Sequence, residues 1–265
     1  MNLCFSTLAC ENWTWQEICL KAKEYAYQGV ELRFTSGHRD LTTNPEFTPD
    51  VIKQAKIFAE DLGVQIICVD SSVLLTHPNQ LTHGKRCIEI AHSLDSHLLR
   101  VFAGGHPANQ TREQSLSLAA EQAHELSQFG DDLDVKVLME THDSCIASDD
   151  VLEMVQRVDH RNFGILWDSH HTYRVAGESF PTTWGKIGHL VEHIHVKDSL
   201  GNAEKHVYQL PGQGDLPFPE LFRTLKRNGY KKSISVEWER AWIPSLAAPE
   251  IVLPEWSLYL RKLTQ

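Results

Sequence analysis

Residues 163–197 read FGILWDSHHTYRVAGESFPTTWGKIGHLVEHIHVK. They hold one full unit of the pattern that decides the fold. A short apolar run at 163–168 leads into a longer segment, and a second short apolar run follows at 191–197. Outward from there the unit repeats. Further runs occupy 2–6, 29–34, 64–70, 98–103, 135–140 and 233–237, which makes eight. Each interval has room for a strand, a helix and two loops. Helical spacing of apolar residues marks 15–27, 50–62, 111–129 and 219–227. Gly29, Gly63, Gly130 and Gly229 follow these segments as stop signals. Asp149 and Asp150 are expected to cap a helix beginning near Val151. Residues 249–263 read as the last helix of the ring.

Eight strand–helix alternations predict a (β/α)8 barrel, a single domain over residues 1–265. The alternative, a doubly wound open sheet, often carries a glycine-rich loop after its first strand. Here that position holds Thr7-Leu8-Ala9-Cys10, without glycine.

Composition narrows the function. Hydrophobic residues make up 42 % and charged residues 23 %, a globular profile. The 35 acids against 25 bases leave a net charge of -10, which disfavours nucleic acid as a partner. No apolar run is long enough to span a membrane, and no basic residue precedes Lys21, so neither a membrane segment nor a signal peptide is expected. Six scattered cysteines without a C-x-x-C pair read as reduced thiols of a cytoplasmic protein. Fifteen histidines hint at metal or proton chemistry.

In such a barrel the chemistry gathers at the C-terminal strand ends. Those ends carry Glu31 and Arg33, Asp70, Glu140, Asp168, His195 and Lys197, and Glu237. Period-two geometry puts His193, His195 and Lys197 on one face, and Ser233, Ser235 and Glu237 on another. If these faces line the interior, Glu140, Asp168, His195 and Glu237 converge from four consecutive strands. Three carboxylates there would repel one another, and one divalent cation removes the repulsion. The oxygen-rich set suits Mn first, with Mg, Co or Zn as alternatives. The competing explanation for any single acid is a helix cap or a salt bridge.

At these residues the sequence resembles a known family. The segments are GVELRF (29–34), LMETHDS (138–144), GILWDSHHTYR (164–174), HIHVKDS (193–199), PGQGDLPFPELFRTLKRNGY (211–230) and SVEWERAW (235–242). In order and spacing they resemble the xylose isomerase-like TIM barrel family of sugar phosphate isomerases and epimerases. That family includes ketose 3-epimerases, inosose dehydratases and the zinc-type apurinic-site endonucleases of AP endonuclease family 2. The resemblance implies that Glu140, Asp168, His195 and Glu237 bind one metal ion. It implies that Glu140 and Glu237 also exchange protons with substrate carbon, and that His171 contacts substrate. Relatives often form dimers or tetramers, so a homo-oligomer accords with it. One position departs. In the ketose 3-epimerases an arginine follows the seventh-strand ligand by six residues, and here that residue is Gly201.

The implied function is a metal-dependent sugar or sugar-phosphate isomerase or epimerase acting through a metal-stabilised enediolate. The alternatives are an inosose- or dehydroshikimate-type dehydratase, a DNA-repair endonuclease and a non-catalytic carbohydrate-binding barrel. The substrate would be a small polyhydroxylated molecule: a sugar, a sugar phosphate or a cyclitol. Lys197 is expected to stabilise oxyanion charge, bind a substrate acid, or pair with Asp198 or a nearby carboxylate. Glu31 is read as an acceptor for a substrate hydroxyl or an ion-pair partner of Arg33. His142 and His106 are further candidates for substrate contact. Asp70 is read as a substrate contact or a cap. His170, on an extended segment, would face away from His171. Asp215 is expected to cap the helix after it.

Overall fold

A computed structural model describes residues 1–264. Eight parallel strands close into a barrel. In chain order these are β1 (Asn2–Ser6), β2 (Gly29–Leu32), β3 (Gln65–Leu74), β4 (Leu98–Phe102), β5 (Lys136–Glu140), β6 (Phe163–Asp168), β7 (Val191–Val196) and, after a two-stranded insertion, β10 (Ser233–Val236). The insertion is an antiparallel hairpin of β8 (Asp198–Gly201) and β9 (His206–Gln209). Around the barrel lie α1 (Trp15–Glu24), α2 (Ile52–Leu62), α3 (Leu81–Ser93), α4 (Arg112–Asp131), α5 (Ser148–Val158), α6 (Ser169–Arg174), α7 (Phe180–Ile187), α8 (Phe218–Arg227) and α9 (Pro249–Thr264). The architecture is the expected (β/α)8 barrel.

Local chemistry sets the helix ends. Thr14 and Glu17 form a capping box at α1, and Thr111 and Gln114 do so at α4. Gly63 ends α2 with φ +71°, a conformation that suits glycine. Two expected caps are corrected. α5 begins at Ser148, whose N–H donates to Glu178 at 3.0 Å, so Asp149 and Asp150 lie inside its first turn. α8 has no side-chain cap, and Asp215 instead pairs with Arg174.

The alternation of the strands sorts chemistry from packing. On β7, Ile194 and Val196 join the main apolar core, as do Ile234 and Val236 on β10 and Ile165 and Trp167 on β6. The alternate residues His193, His195, Ser235 and Asp168 are fully buried but stand outside that core. Each fully buried Leu, Ile or Val in the outer layer contributes about 1.5–3 kcal/mol. That layer offsets the several kcal/mol that burying each unpaired ion costs.

Register puts the polar residues at one level. Asp168 is the strand partner of His195, and His195 is the partner of Ser235. Beyond the strands, Asp198 anchors the loop over the insertion. It accepts the N–H groups of Gly212 (2.9 Å) and Gly214 (3.0 Å). A Cβ on residue 214 would meet Asp198 Oδ1 at 2.0 Å, so only glycine fits this approach.

Candidate metal centre

Glu140 ends β5, Asp168 ends β6, His195 lies one residue before the end of β7, and Glu237 directly follows β10. One donor atom from each lies within 4.8 Å of all the others. His195 Nδ1 is 3.5 Å from Glu140 Oε1 and 3.4 Å from Glu237 Oε2. All four residues are buried.

The donor set fits a divalent cation on an observation internal to the site. Glu140 Oε1 and His195 Nδ1 are sealed from solvent and make no hydrogen bond, while Glu140 Oε2 and Asp168 Oδ2, equally sealed, face the cations Arg100 and Lys197. Buried polar atoms are normally satisfied, and unsatisfied donor atoms gathered within 4.8 Å of one another favour a ligand. One imidazole and three carboxylates suit Zn, Mn, Mg or Co.

The histidine is held from behind. Glu31 accepts from His195 Nε2 at 2.7 Å and from His193 Nε2 at 2.5 Å. With Nε2 turned to a carboxylate, Nδ1 is the atom presented to the other three residues, the arrangement of a carboxylate–histidine–metal triad. This corrects the expectation for Glu31. It is fully buried beneath the mouth, and its partners are two imidazoles, neither a substrate hydroxyl nor Arg33. Burial pushes the Glu31 carboxyl up, but its contacts with His195 and His193 outweigh this and hold it well below the ordinary range. Burial likewise lowers His195, yet Glu237 and Glu31 reverse the sign and raise its imidazolium well above the ordinary value.

Two cations edge the cluster. The Lys197 ammonium sits 2.8 Å from Asp168 Oδ2 and 2.7 Å from Glu239 Oε1, and also pairs with Glu237. Of the pairings expected for Lys197, the nearby carboxylates are its partners and Asp198 is not. Arg100 Nε is 3.3 Å from Glu140 Oε2, and its Nη2 is 3.3 Å from Asp70 Oδ2. Sequence reasoning missed Arg100, Glu239 and the support role of His193. Arg100 left a signal: it is a lone charge inside the apolar strand LLRVF.

Histidines form one wall. After Asp168 the chain turns directly into α6, which accounts for a second correction: the segment is helical, not extended. His171 Nδ1 lies 3.3 Å from both Asp168 Oδ2 and Thr141 O. His142 stacks edge-on against His171, with centroids 4.7 Å apart, and pairs with Asp143 at 2.8 Å. His170 is buried with Nε2 2.9 Å from Ser199 Oγ. Burial, with Lys197 nearby, pushes the His170 imidazole down to about 2 and the His171 imidazole well below its ordinary value. Asp70 is buried beside Arg100 and contributes no helix cap. His106 is exposed on the loop after β4. A surface hollow of about 950 Å³, lined by residues such as Lys85, His124 and Phe129, lies on the outer helices and has no such cluster.

The family model for xylose isomerase-like TIM barrels matches residues 19–258. The chain belongs to that family. Among curated relatives, the fructoselysine 3-epimerase of Escherichia coli O157:H7 is 23 % identical over 232 residues, 82 % of each chain. The inosose dehydratase of Clostridium perfringens is 23 % identical over 228 residues, 79 % of this chain and 69 % of its own. An uncharacterized protein of Methanocaldococcus jannaschii is 28 % identical over 162 residues, and the match spans 53 % of its length. Among solved structures, the IolI protein with a binding zinc atom superposes with a TM-score of 0.81 at 17 % identity, covering 100 % of this chain and 98 % of its own. The proteins similar to this chain thus include both an epimerase and a dehydratase. No helix among the described residues is long and apolar enough to cross a membrane.

Proposed function

We propose that this chain is a divalent-metal-dependent isomerase or epimerase of small polyhydroxylated keto compounds. The observation that carries the reading is the cluster Glu140, Asp168, His195 and Glu237, all buried, with one donor atom from each mutually within 4.8 Å. These four residues would hold the cation. When bound, it would polarise the carbonyl and neighbouring hydroxyl oxygens of the substrate, as a Lewis acid does. Mn is our first choice among Mn, Mg, Co and Zn.

The chain's own groups would then move protons. Glu140 and Glu237 flank His195 from two strands, so one carboxylate can take the proton beside the carbonyl and the other can return it. Return to the opposite face gives epimerisation, and return to the neighbouring carbon gives isomerisation. Lys197 would balance the oxyanion charge that builds up meanwhile. Burial keeps the His171 imidazole neutral. With Nδ1 turned toward Asp168 and Thr141, its Nε2 remains for a substrate hydroxyl, and His142 adjoins it. All six cysteines are free and buried, in keeping with a reducing cytoplasmic setting.

A second reading rests on Lys197. An ammonium beside Glu237 can protonate a departing β-hydroxyl, as a dehydratase requires. Product mass separates the readings, because only dehydration changes it. The test of the first reading is solvent deuterium incorporation into a panel of keto sugars by the Mn-loaded protein. Wild type should incorporate deuterium, and Glu237→Gln should stay folded while losing about 10²–10⁴-fold in rate. Full activity in that variant would defeat the mechanism.

A further inference from the structure

Four lysine and arginine side chains are buried among the described residues: Arg33, Arg100, Arg174 and Lys197. Three have acids in reach. Arg100 has Asp70 and Glu140, Arg174 has Asp215, and Lys197 has Asp168, Glu237 and Glu239. Among the described residues Arg33 has none. Its exposure is 7 %, and its side chain donates only from Nη1, to Ser72 Oγ at 3.0 Å and to Asp70 O at 3.4 Å. Its other nitrogens have no partner, and they are not among the polar atoms sealed from solvent.

The residue is fixed in place. The N–H groups of Arg33 and Phe34 both donate to Thr7 Oγ1, at 2.8 and 2.9 Å. The guanidinium lies over the Phe34 ring at 4.3 Å, and Phe34 packs edge-on against Trp242 at 5.6 Å. Arg33 directly follows β2, at the C-terminal mouth of the barrel, and contacts the Asp70 carbonyl on the neighbouring β3. It therefore stands on the same rim as the carboxylate cluster, on the side where Arg100 pairs with Asp70 and Glu140.

An arginine buried without an acid is costly, because its desolvation is not compensated. Burial and the neighbouring Arg100 push its guanidinium down to about 10, while Asp70, Glu140 and Glu237 offset only part of this. The planar N–H fork of arginine suits a carboxylate or a phosphate. We propose that Arg33 is the anion-binding residue of the substrate pocket, and that the substrate carries a carboxylate or phosphate group besides its hydroxyls. This rests on the reading above, in which polyol oxygens are held at the carboxylate cluster.

Binding, not turnover, tests it. Mn-loaded wild type is titrated calorimetrically with three polyols of one carbon skeleton: glucitol, gluconate and glucitol 6-phosphate. Arg33 should make gluconate or glucitol 6-phosphate bind about 10- to 100-fold more tightly than glucitol. The tighter of the two identifies the anion. The preference should collapse in Arg33→Met and return in part in Arg33→Lys, with Mn affinity unchanged in both. Equal binding of the three polyols by wild type would overturn the proposal. So would a preference that survives in Arg33→Met, since the anion would then sit on the metal. The two readings fail separately. An Arg33-dependent preference without deuterium exchange would sink only the isomerase reading. Exchange on neutral ketoses as fast as on their anionic counterparts would sink only the anion site.

Discussion

Glu31 and Glu140 are the same residue type, both buried, both at the end of a barrel strand, yet they have opposite surroundings. Each oxygen of Glu31 accepts a hydrogen bond from an imidazole, at 2.5 and 2.7 Å. Neither oxygen of Glu140 accepts any. Glu31 has both oxygens hydrogen-bonded, whereas Glu140 has only the Arg100 guanidinium at 3.3 Å and the His195 imidazole at 3.5 Å. The two halves of the mouth follow the same division. The half built on β1–β4 supplies support and positive charge through Glu31, Arg33 and Arg100. The half built on β5–β7 and β10 supplies donor atoms. The carboxylates differ in what their neighbouring strands place opposite them.

That contrast can be broken by removing one charge at a time. Glu140→Gln should have the largest effect. It deletes a donor and a proton carrier together, so turnover should fall by at least about 10²–10⁴-fold, with metal affinity falling as well. Retained turnover in that variant would show that the Glu140 oxygens are incidental. Glu31→Gln should act at one remove. Loss of the group that orients His195 should weaken metal binding about 10- to 100-fold. An unchanged metal dissociation constant would deny the support role.

The pH dependence is the smaller effect. Burial disfavours the His195 imidazolium, but Glu237 and Glu31 raise it well above its ordinary value in the metal-free protein. Its contribution to metal-free stability is therefore full below about pH 6.5 and is lost as pH rises through the raised value. A cation on Nδ1 must displace that proton. Apparent metal affinity should thus rise with pH across this window, by up to about tenfold per unit, with a proton released on binding. Calorimetry in two buffers of different ionisation enthalpy reads that proton. Affinity that is flat or falls with pH would contradict the assignment of Nδ1 as a donor.

Much of the fold was legible because its period is simple. All eight barrel strands were marked by short apolar runs, and α1, α2, α4 and α8 by helical spacing closed by glycine. α3 (Leu81–Ser93) escaped because its end carries Leu94 and Asp95, with no glycine stop. The β8–β9 hairpin escaped because its strands are short and polar, DSLG and HVYQ. Period two also assembled Glu140, Asp168, His195 and Glu237, since it states which residues share the inner face. It could not say what stands across the barrel. The pairing of Glu31 with His193 and His195 joins residues more than 160 positions apart, and no local spacing records it. The same limit hid Arg100 beside Glu140, and the lack of any acid beside Arg33.

The central claim is that Glu140, Asp168, His195 and Glu237 hold one divalent cation. The direct measurement is a calorimetric titration of chelator-stripped protein with Mn and with Zn, on wild type and on Asp168→Asn. The account predicts one ion per wild-type chain and binding lost or greatly weakened in Asp168→Asn. A wild-type chain that takes up neither metal, or an Asp168→Asn chain that binds as tightly as wild type, would contradict it.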